Sequence, residues 1–429
     1  MLEEHRITEL DSGVRVVTER MPSVRSVALG FWIGTGSAAE AEPEAGLSHL
    51  IEHMLFRGTA RFESVEIDQI FDGMGAELNA GTGKETTSVY SRVLDVHLER
   101  ALDVMADMVW RPRFAQDDLD NEREIVLEEI AMYEDDPQDK VFDVLGEAVF
   151  GAHPLGRAII GRAPIIRSVA PDALRSFHVR RYVPGNVVIA AAGSVDHDAL
   201  CALASEVLSD RAGSALPVDP AAPPATQMTT RFVTKPTEQV HVCLGGRGVA
   251  RDDDRRYALR VLDTILGATS SSRLFQEVRE RRGLAYAVYS FSAHYAHAGQ
   301  VGLYLGTRGD NLAESLRVVG AELERFASDG ATEEELERAK DNVKGRIVLS
   351  LESTSAPMNR LGSSVLAGLP LLTVDEVLER VETVSLEDVR ALAAEYFAPA
   401  SLSAAGIGPD EEAFRAALTP ISPALAEAA

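Results

Sequence analysis

The spacing of hydrophobic residues changes period along the first sixty positions. Arg6 to Leu10 and Val14 to Thr18 are short strand-like runs on either side of Asp11-Ser12-Gly13, the pattern of a β-hairpin. An apolar run rich in Val, Phe, Trp and Ile from Ser26 to Gly36 predicts a further strand. From Gly46 to Phe56 the period becomes helical, with apolar residues at i, i+3, i+4, i+7 and i+8. Strands and amphipathic helices are therefore mixed, which favours an α+β fold.

The ends of the two halves of the chain resemble each other. A single gapless shift by half the length of the chain superposes eight pairs of similar residues: Val169 on Val384, Asp172 on Glu387, Leu174 on Val389, Arg175 on Arg390, Tyr182 on Phe397, Pro184 on Pro399, Gly193 on Gly408 and Asp196 on Glu411. Each copy has the pattern of a helix, an aromatic-x-Pro turn, an apolar strand and a glycine. Residues 211–228 contain four prolines and little periodicity, which predicts a linker. We therefore predict two related domains, residues 1–210 and 229–429.

Composition narrows the class of protein and its partners. With 45% hydrophobic and 25% charged residues, the chain has the composition of a globular protein. Its 67 Asp and Glu against 42 Lys and Arg give a formal charge of −25, which argues against nucleic acid and anionic membranes as partners. Two distant cysteines, Cys201 and Cys243, exclude a disulfide scaffold and a Cys-rich metal site. Because neither a signal-peptide pattern nor a run of about 18 apolar residues occurs, we expect a cytoplasmic protein.

The helix predicted from Gly46 to Phe56 carries His49, Glu52 and His53 in the order His-x-x-Glu-His. At about 100° per residue, these three side chains fall on the face opposite the apolar stripe. Two imidazoles four residues apart are able to bind one metal ion, and the adjacent carboxylate is able to hold a water molecule. This is the layout of a hydrolytic zinc site, with a solvated polar face as the alternative. A catalytic zinc needs a third protein ligand.

The segment from Asp120 to Pro137 predicts a strongly acidic helix, which offers candidates for the third metal ligand. Glu122 and Glu129 share a stripe with Val126, whereas Glu128 is turned about 100° away. A carboxylate on an apolar stripe is expected to be partly buried and to need a metal or a hydrogen-bond donor. From the residues alone, an ordinary exposed acidic helix stays open as the alternative.

The His-x-x-Glu-His motif, followed by Glu129 in the acidic helix, resembles the inverzincin signature of the pitrilysin/insulinase family. The likeness runs through nearly the whole chain. It implies one zinc ion per chain bound by His49, His53 and Glu129, with Glu128 as the rival third ligand. It also implies that Glu52 is the general base and that Glu122 supports the site.

The same resemblance implies domains that are each a mostly antiparallel sheet with packed helices, similar to processing peptidases. It places Asn79 and Ala80 on an exposed edge strand near the metal, where an extended peptide can add as a strand. No His-x-x-Glu-His recurs in the second half of the chain. That half instead resembles the family's inactive companion domain, in which Arg279 and Tyr286 bind substrate backbone. Without the resemblance, that segment is a basic helix end followed by a strand.

The function implied is that of a zinc-dependent endopeptidase acting on extended or presequence-like peptides. Family members enclose the substrate between four such domains, so we expect a homodimer or a pairing with a related subunit. Two alternatives stay open: a non-proteolytic structural or assembly subunit, and a metal-dependent peptide-binding protein with negligible turnover. An intact set of His49, Glu52, His53 and Glu129 favours the enzyme, because a structural subunit has no chemical need for it.

Overall fold

The computed structural model describes residues 5–210, 221–225 and 227–428. Most of the predicted linker, residues 211–220 and Thr226, lies outside the described residues. Among the helices that the structure does describe, none combines the length and the apolar character needed to cross a membrane.

Strands and helices alternate along both halves. The strands are β1 (His5–Glu9), β2 (Arg15–Arg20), β3 (Ser26–Ile33), β4 (Glu77–Thr82), β5 (Thr87–Leu94), β6 (Val187–Gly193), β7 (Thr230–Thr234), β8 (Gln239–Gly248), β9 (Ala285–His294), β10 (Gly299–Arg308) and β11 (Ser403–Gly408). The helices of the first half are α1 (Leu47–Leu55), α2 (Ser64–Gly73), α3 (Leu98–Trp110), α4 (Gln116–Asp135), α5 (Pro137–Phe150), α6 (Ala163–Ser168), α7 (Pro171–Arg181) and α8 (His197–Val207). Those of the second half are α9 (Arg255–Leu266), α10 (Leu312–Asp329), α11 (Glu333–Ser350), α12 (Ser355–Leu366), α13 (Val374–Glu382), α14 (Leu386–Tyr396), α15 (Glu411–Leu418) and α16 (Pro423–Glu427).

The chain forms two compact units. Unit 1 contains Met1–Ile130, Ala158–Pro220 and Leu349–Thr373, and unit 2 contains Ala131–Arg157, Ala221–Val348 and Val374–Ala429. Each unit therefore takes a segment from the other half of the chain, which differs from the contiguous domains 1–210 and 229–429 predicted above. The hydrophobic pattern shows that a helix has an apolar face, but it does not show which sheet that face covers.

Unit 1 is built on a six-stranded sheet in the order β1-β2-β6-β3-β5-β4. Among the described strands of this sheet, only β2 and β6 are parallel neighbours, and the predicted hairpin of β1 and β2 is confirmed. One face carries a large apolar core that includes Phe31 and Leu50. The opposite face is covered by α12, whose Met358 and Leu361 pack with Val17. Because β4 is an edge strand, one of its sides makes no strand pairing within the described residues.

Unit 2 repeats this plan with five strands in the order β7-β11-β8-β10-β9. Again one neighbouring pair, β7 and β11, is parallel and the others are antiparallel. The exchanged helix α5 packs on β8 and β11, as α12 does on β3 and β6. The internal repeat is confirmed, since the shift that places Val169 on Val384 also places both ends of α7 on the ends of α14. The α+β prediction with two related, mostly antiparallel sheets is therefore confirmed.

Candidate metal centre

Helix α1 is fixed at its start by a glycine and a buried carboxylate. Gly46 has φ 102°, in the left-handed region, and a Cβ there would lie 2.9 Å from the Cα of Gly161. The carboxylate of Glu40 accepts hydrogen bonds from the backbone N–H groups of Gly46 (2.8 Å) and Ser48 (2.7 Å). These bonds satisfy two N–H groups that the first turn of a helix leaves without partners. The position and direction of α1 are therefore set before any metal binds.

The amphipathic pattern of α1 places its polar side chains on the open face, as predicted. Leu50, Ile51 and Met54 are fully buried in the core of unit 1. On the other side, the rings of His49 and His53 lie with their centroids 4.7 Å apart and at 67° to each other. Burial of the apolar stripe thus holds both imidazoles on one side of the helix.

The structure brings His49, His53 and Glu129 together. One ligand atom from each lies within 4.8 Å of the others. The Oε2 atom of Glu129 is 3.7 Å from Nε2 of His49 and 3.6 Å from Nε2 of His53. Two ligands bound at about 2.0–2.1 Å to a tetrahedral zinc ion lie about 3.4 Å apart, so these separations fit one ion. Glu128 lies outside this group and is exposed.

The two histidines differ in their surroundings. The side chain of His49 is 12% exposed, and its burial, with a smaller effect of His53, lowers its pKa to about 4. His49 is therefore neutral at pH 7, the form that binds a metal. In His53, by contrast, Nδ1 forms a 2.9 Å hydrogen bond with Oε2 of Glu122, and this bond raises the pKa of His53. Because Nδ1 carries the proton in that bond, Nε2 of His53 is left to point toward Glu129.

Glu122 is a buried carboxylate with two partners. It is 2% exposed, and its second oxygen accepts hydrogen bonds from the guanidinium of Arg57. Burial acts to raise the pKa of Glu122, but the hydrogen bond from His53 and the charge of Arg57 outweigh it and lower the pKa. Glu122 therefore stays ionised. A carboxylate bonded to the far nitrogen of a metal-binding histidine fixes the orientation and tautomer of that ring.

Glu52 and the edge strand β4 meet beside the cluster. The Thr82 hydroxyl donates a 2.5 Å hydrogen bond to Oε2 of Glu52 from the end of β4. Burial raises the pKa of Glu52, although the bond from Thr82 opposes this. Asn79 is exposed and Ala80 half-buried on the same strand, which pairs only with β5 among the described strands. The structure thus places both predicted peptide-binding residues on an edge strand adjoining the general-base candidate.

Arg279 and Tyr286 contact each other in unit 2. Arg279 lies in a π-helical turn, Phe275–Glu280, and Tyr286 near the start of β9. The guanidinium of Arg279 stacks 4.4 Å from the centroid of the Tyr286 ring and donates a 3.0 Å hydrogen bond to its backbone carbonyl. Tyr286 is 77% exposed, so the pair presents an aromatic hydroxyl to solvent.

Thr82, Arg57 and Glu40 are site residues that the sequence prediction does not identify. Arg57 follows the predicted helix directly, but nothing in its spacing indicates that it pairs with Glu122. Thr82 lies on the same face of β4 as Ala80, because alternate residues of a strand share a face. The contacts of Arg57 and Thr82 join parts of the chain that are far apart in sequence, which no local pattern reports.

Comparison with family models accounts for most of the chain. Residues 15–163 match the model for insulinase (peptidase family M16), and residues 168–343 match the model for the peptidase M16 inactive domain. The first match contains the histidine–glutamate cluster and the second contains Arg279 and Tyr286. The two models thus assign unequal roles to the two related halves.

Similar proteins and structures extend over nearly the whole chain. An uncharacterized zinc protease of Streptomyces coelicolor is 41% identical over 96% of this chain and 91% of its own length. Another, of Mycobacterium tuberculosis, is 44% identical over 90% of both chains. The crystal structure of a peptidase M16 inactive domain from Pseudomonas fluorescens superposes with a TM-score of 0.89 at 25% identity, covering 95% of this chain and 98% of that one. The protein therefore belongs to the insulinase family, peptidase family M16.

Proposed function

We propose that this protein is a zinc-dependent endopeptidase that hydrolyses extended or presequence-like peptides. The observation that carries the proposal is the grouping of His49, His53 and Glu129, with Glu52 on the same helix and held by Thr82. Two imidazoles and one carboxylate form the donor set of a hydrolytic zinc site that keeps one position open. When zinc is bound, it supplies Lewis acidity that polarises a carbonyl and makes a water molecule more acidic.

Glu52 would act as the general base and then as the general acid. Its carboxylate takes the proton of the attacking water and later delivers it to the amine that leaves. Burial raises the pKa of Glu52, which makes its carboxylate a stronger base toward the proton of the attacking water. The hydrogen bond from the Thr82 hydroxyl to Oε2 restricts the orientation of this carboxylate. Glu122 would not touch substrate; it would orient the ring of His53.

The substrate would bind as an added strand on the free side of β4. Backbone groups of β4 that have no strand partner can pair with an extended peptide, and Asn79 and Ala80 lie in the middle of that edge. Arg279 and Tyr286 would bind substrate backbone, with the Tyr286 hydroxyl as a donor to oxyanion charge. We also propose that the chain works as a homodimer or with a related subunit. A protein that sediments as a stable monomer in analytical ultracentrifugation and is fully active at the same concentration would contradict this pairing.

Removal of the metal tests the proposed activity directly. We expect the purified protein to cleave a quenched fluorescent peptide of about twelve residues, and we expect treatment with 1,10-phenanthroline followed by dialysis to abolish cleavage. Addition of about one equivalent of zinc per chain should restore it. The non-chelating isomer 1,7-phenanthroline is the matched control. Cleavage that survives in protein shown to be free of metal would refute the proposal.

The Glu122→Gln variant tests the supporting role of that carboxylate. Loss of a carboxylate that orients a metal-binding histidine weakens metal binding by roughly 10- to 100-fold. We therefore expect zinc affinity, measured by competition with a chromogenic chelator, to fall in that range, while excess zinc restores most of the activity. A loss of activity that excess zinc does not restore, in a variant with normal circular dichroism, would give Glu122 a different role.

A further inference from the structure

Helix α9 occupies in unit 2 the place that α1 occupies in unit 1. Along the chain, α9 lies between β8 and the edge strand β9, as α1 lies between β3 and the edge strand β4. The two helices match when Leu47 is placed on Ala258, since six buried positions then coincide, although Thr264 is buried and His53 at the matching place is half-buried. Those positions are Leu47, Ser48, Leu50, Ile51, Met54 and Leu55 in α1, and Ala258, Leu259, Val261, Leu262, Ile265 and Leu266 in α9. The match puts Arg260 at the place of His49, Asp263 at that of Glu52 and Thr264 at that of His53.

The carboxylate of this arrangement is kept in unit 2. The Ser290 hydroxyl, on the edge strand β9, donates a hydrogen bond to Asp263, as Thr82 on β4 does to Glu52. Helix α11 likewise matches α4, because Leu336, Ala339 and Val343 are buried with the same spacing as Leu119, Glu122 and Val126. Arg346 then stands at the place of Glu129. Both imidazoles and the carboxylate of the metal centre are thus replaced, two of the three by arginine.

The two matches put Arg260 and Arg346 at the places of His49 and Glu129, whose Nε2 and Oε2 atoms lie 3.7 Å apart. Residues of both α9 and α11 line a cavity of about 30 Å³, among them Thr264 and Asn342. Arg260 is one turn from Thr264, and Arg346 is one turn from Asn342. Both arginine residues are exposed to solvent. Partial removal of Arg260 from water lowers its pKa, and the positive charge of Arg346 lowers it further, as expected for two guanidinium groups that repel each other.

These two arginines make no side-chain hydrogen bond or ion pair with any residue that the structure describes. Their neighbours do: Arg338 pairs with Glu334, and Arg273 with Glu335. In a chain with a formal charge of −25, two adjacent guanidinium groups without a carboxylate are unusual. Like charges held together repel, and an anion placed between them removes that repulsion.

We propose that Arg260 and Arg346 form a carboxylate-binding site in unit 2 that takes a carboxylate of the peptide substrate. This inference rests on the proposed peptidase function for the identity of the ligand. Arginine is suited to the task because its planar guanidinium binds a carboxylate through two parallel hydrogen bonds. The carboxylate would come either from the C-terminus of the peptide or from an acidic side chain. Helices α9 and α11 of unit 2 would then carry an anion site at the place where the matching helices α1 and α4 of unit 1 carry the metal centre.

Peptide binding by chelator-treated protein tests the proposal, because no zinc is then present to bind the carboxylate. The probes are three fluorescein-labelled twelve-residue peptides of one sequence: a C-terminal acid, its amide, and the amide with an internal Gln replaced by Glu. Fluorescence anisotropy should show the acid, the Glu peptide or both binding about tenfold more tightly than the amide. The tighter peptide identifies the source of the carboxylate.

The double variant Arg260→Gln/Arg346→Gln should bind all three peptides equally. Its matched control, Arg308→Gln/Arg317→Gln, removes the same charge from two exposed residues of unit 2 and should keep the preference. Equal binding of the three peptides by the unchanged protein, or a preference that survives in the double variant, would overturn the proposal. Failure of the proposed peptidase function would instead appear as absent zinc-dependent cleavage with the carboxylate preference intact.

Discussion

The Glu52→Gln variant is expected to bind zinc normally and to lose almost all peptide hydrolysis. General acid–base catalysis contributes about 10²- to 10⁴-fold to the rate, and a fall in kcat of that size is expected here. An amide has the shape of the carboxylate and still offers an oxygen to the Thr82 hydroxyl, but it cannot take up the proton of the attacking water. Zinc content is unaffected because Glu52 is not one of the three grouped donors.

The measurement combines kcat on the fluorescent peptide with zinc content by plasma mass spectrometry. Glu124→Gln is the control, since it removes one carboxylate from an exposed position of α4 and should change neither quantity. The assignment of Glu52 fails if the variant retains its zinc and cleaves the peptide at the original rate. A variant that loses both zinc and activity would point to a structural part for Glu52 in metal binding.

The predictions that succeeded rest on short-range patterns. The period of apolar residues places His49, Glu52 and His53 on one face of α1, and the burial of Leu50 and Ile51 enforces that face. The internal repeat appears as α7 and α14, whose first and last residues correspond under one and the same shift. In each case, neighbouring residues carry the information, because a helix turns by a fixed angle per residue.

The features that escaped prediction depend on contacts between distant parts of the chain. The pairing of Arg57 with Glu122 and of Thr82 with Glu52 requires the helices and β4 to be assembled first. The exchange of α5 and α12 between the two units is also invisible to periodicity, since an apolar face fits either sheet. The arginines of α9 and α11 acquire a meaning only when these helices are matched to α1 and α4.

Periodicity leaves the choice between Glu128 and Glu129 open, and the structure supplies a matched pair for testing it. Glu129 has its carboxylate 3.6 Å from His53 Nε2 and is 40% exposed, whereas Glu128 is exposed and outside the cluster. The two substitutions to Gln change the charge of α4 equally, at adjacent positions. Their distances from the two histidines differ, whereas long-range charge effects are nearly equal and cancel in the comparison.

We expect Glu129→Gln to lower zinc affinity by more than the roughly 100-fold that loss of a supporting residue causes, and to reduce cleavage to background. A neutral amide oxygen replaces an anionic donor, so one of three ligands is effectively lost. Glu128→Gln should keep both quantities within about twofold, because exposed positions away from the cluster contribute little. Thermal unfolding of both metal-free variants should match that of the metal-free parent, which separates metal binding from folding. If Glu128→Gln loses zinc while Glu129→Gln retains it, the third ligand is Glu128, and α4 must rotate by about 100° when metal binds.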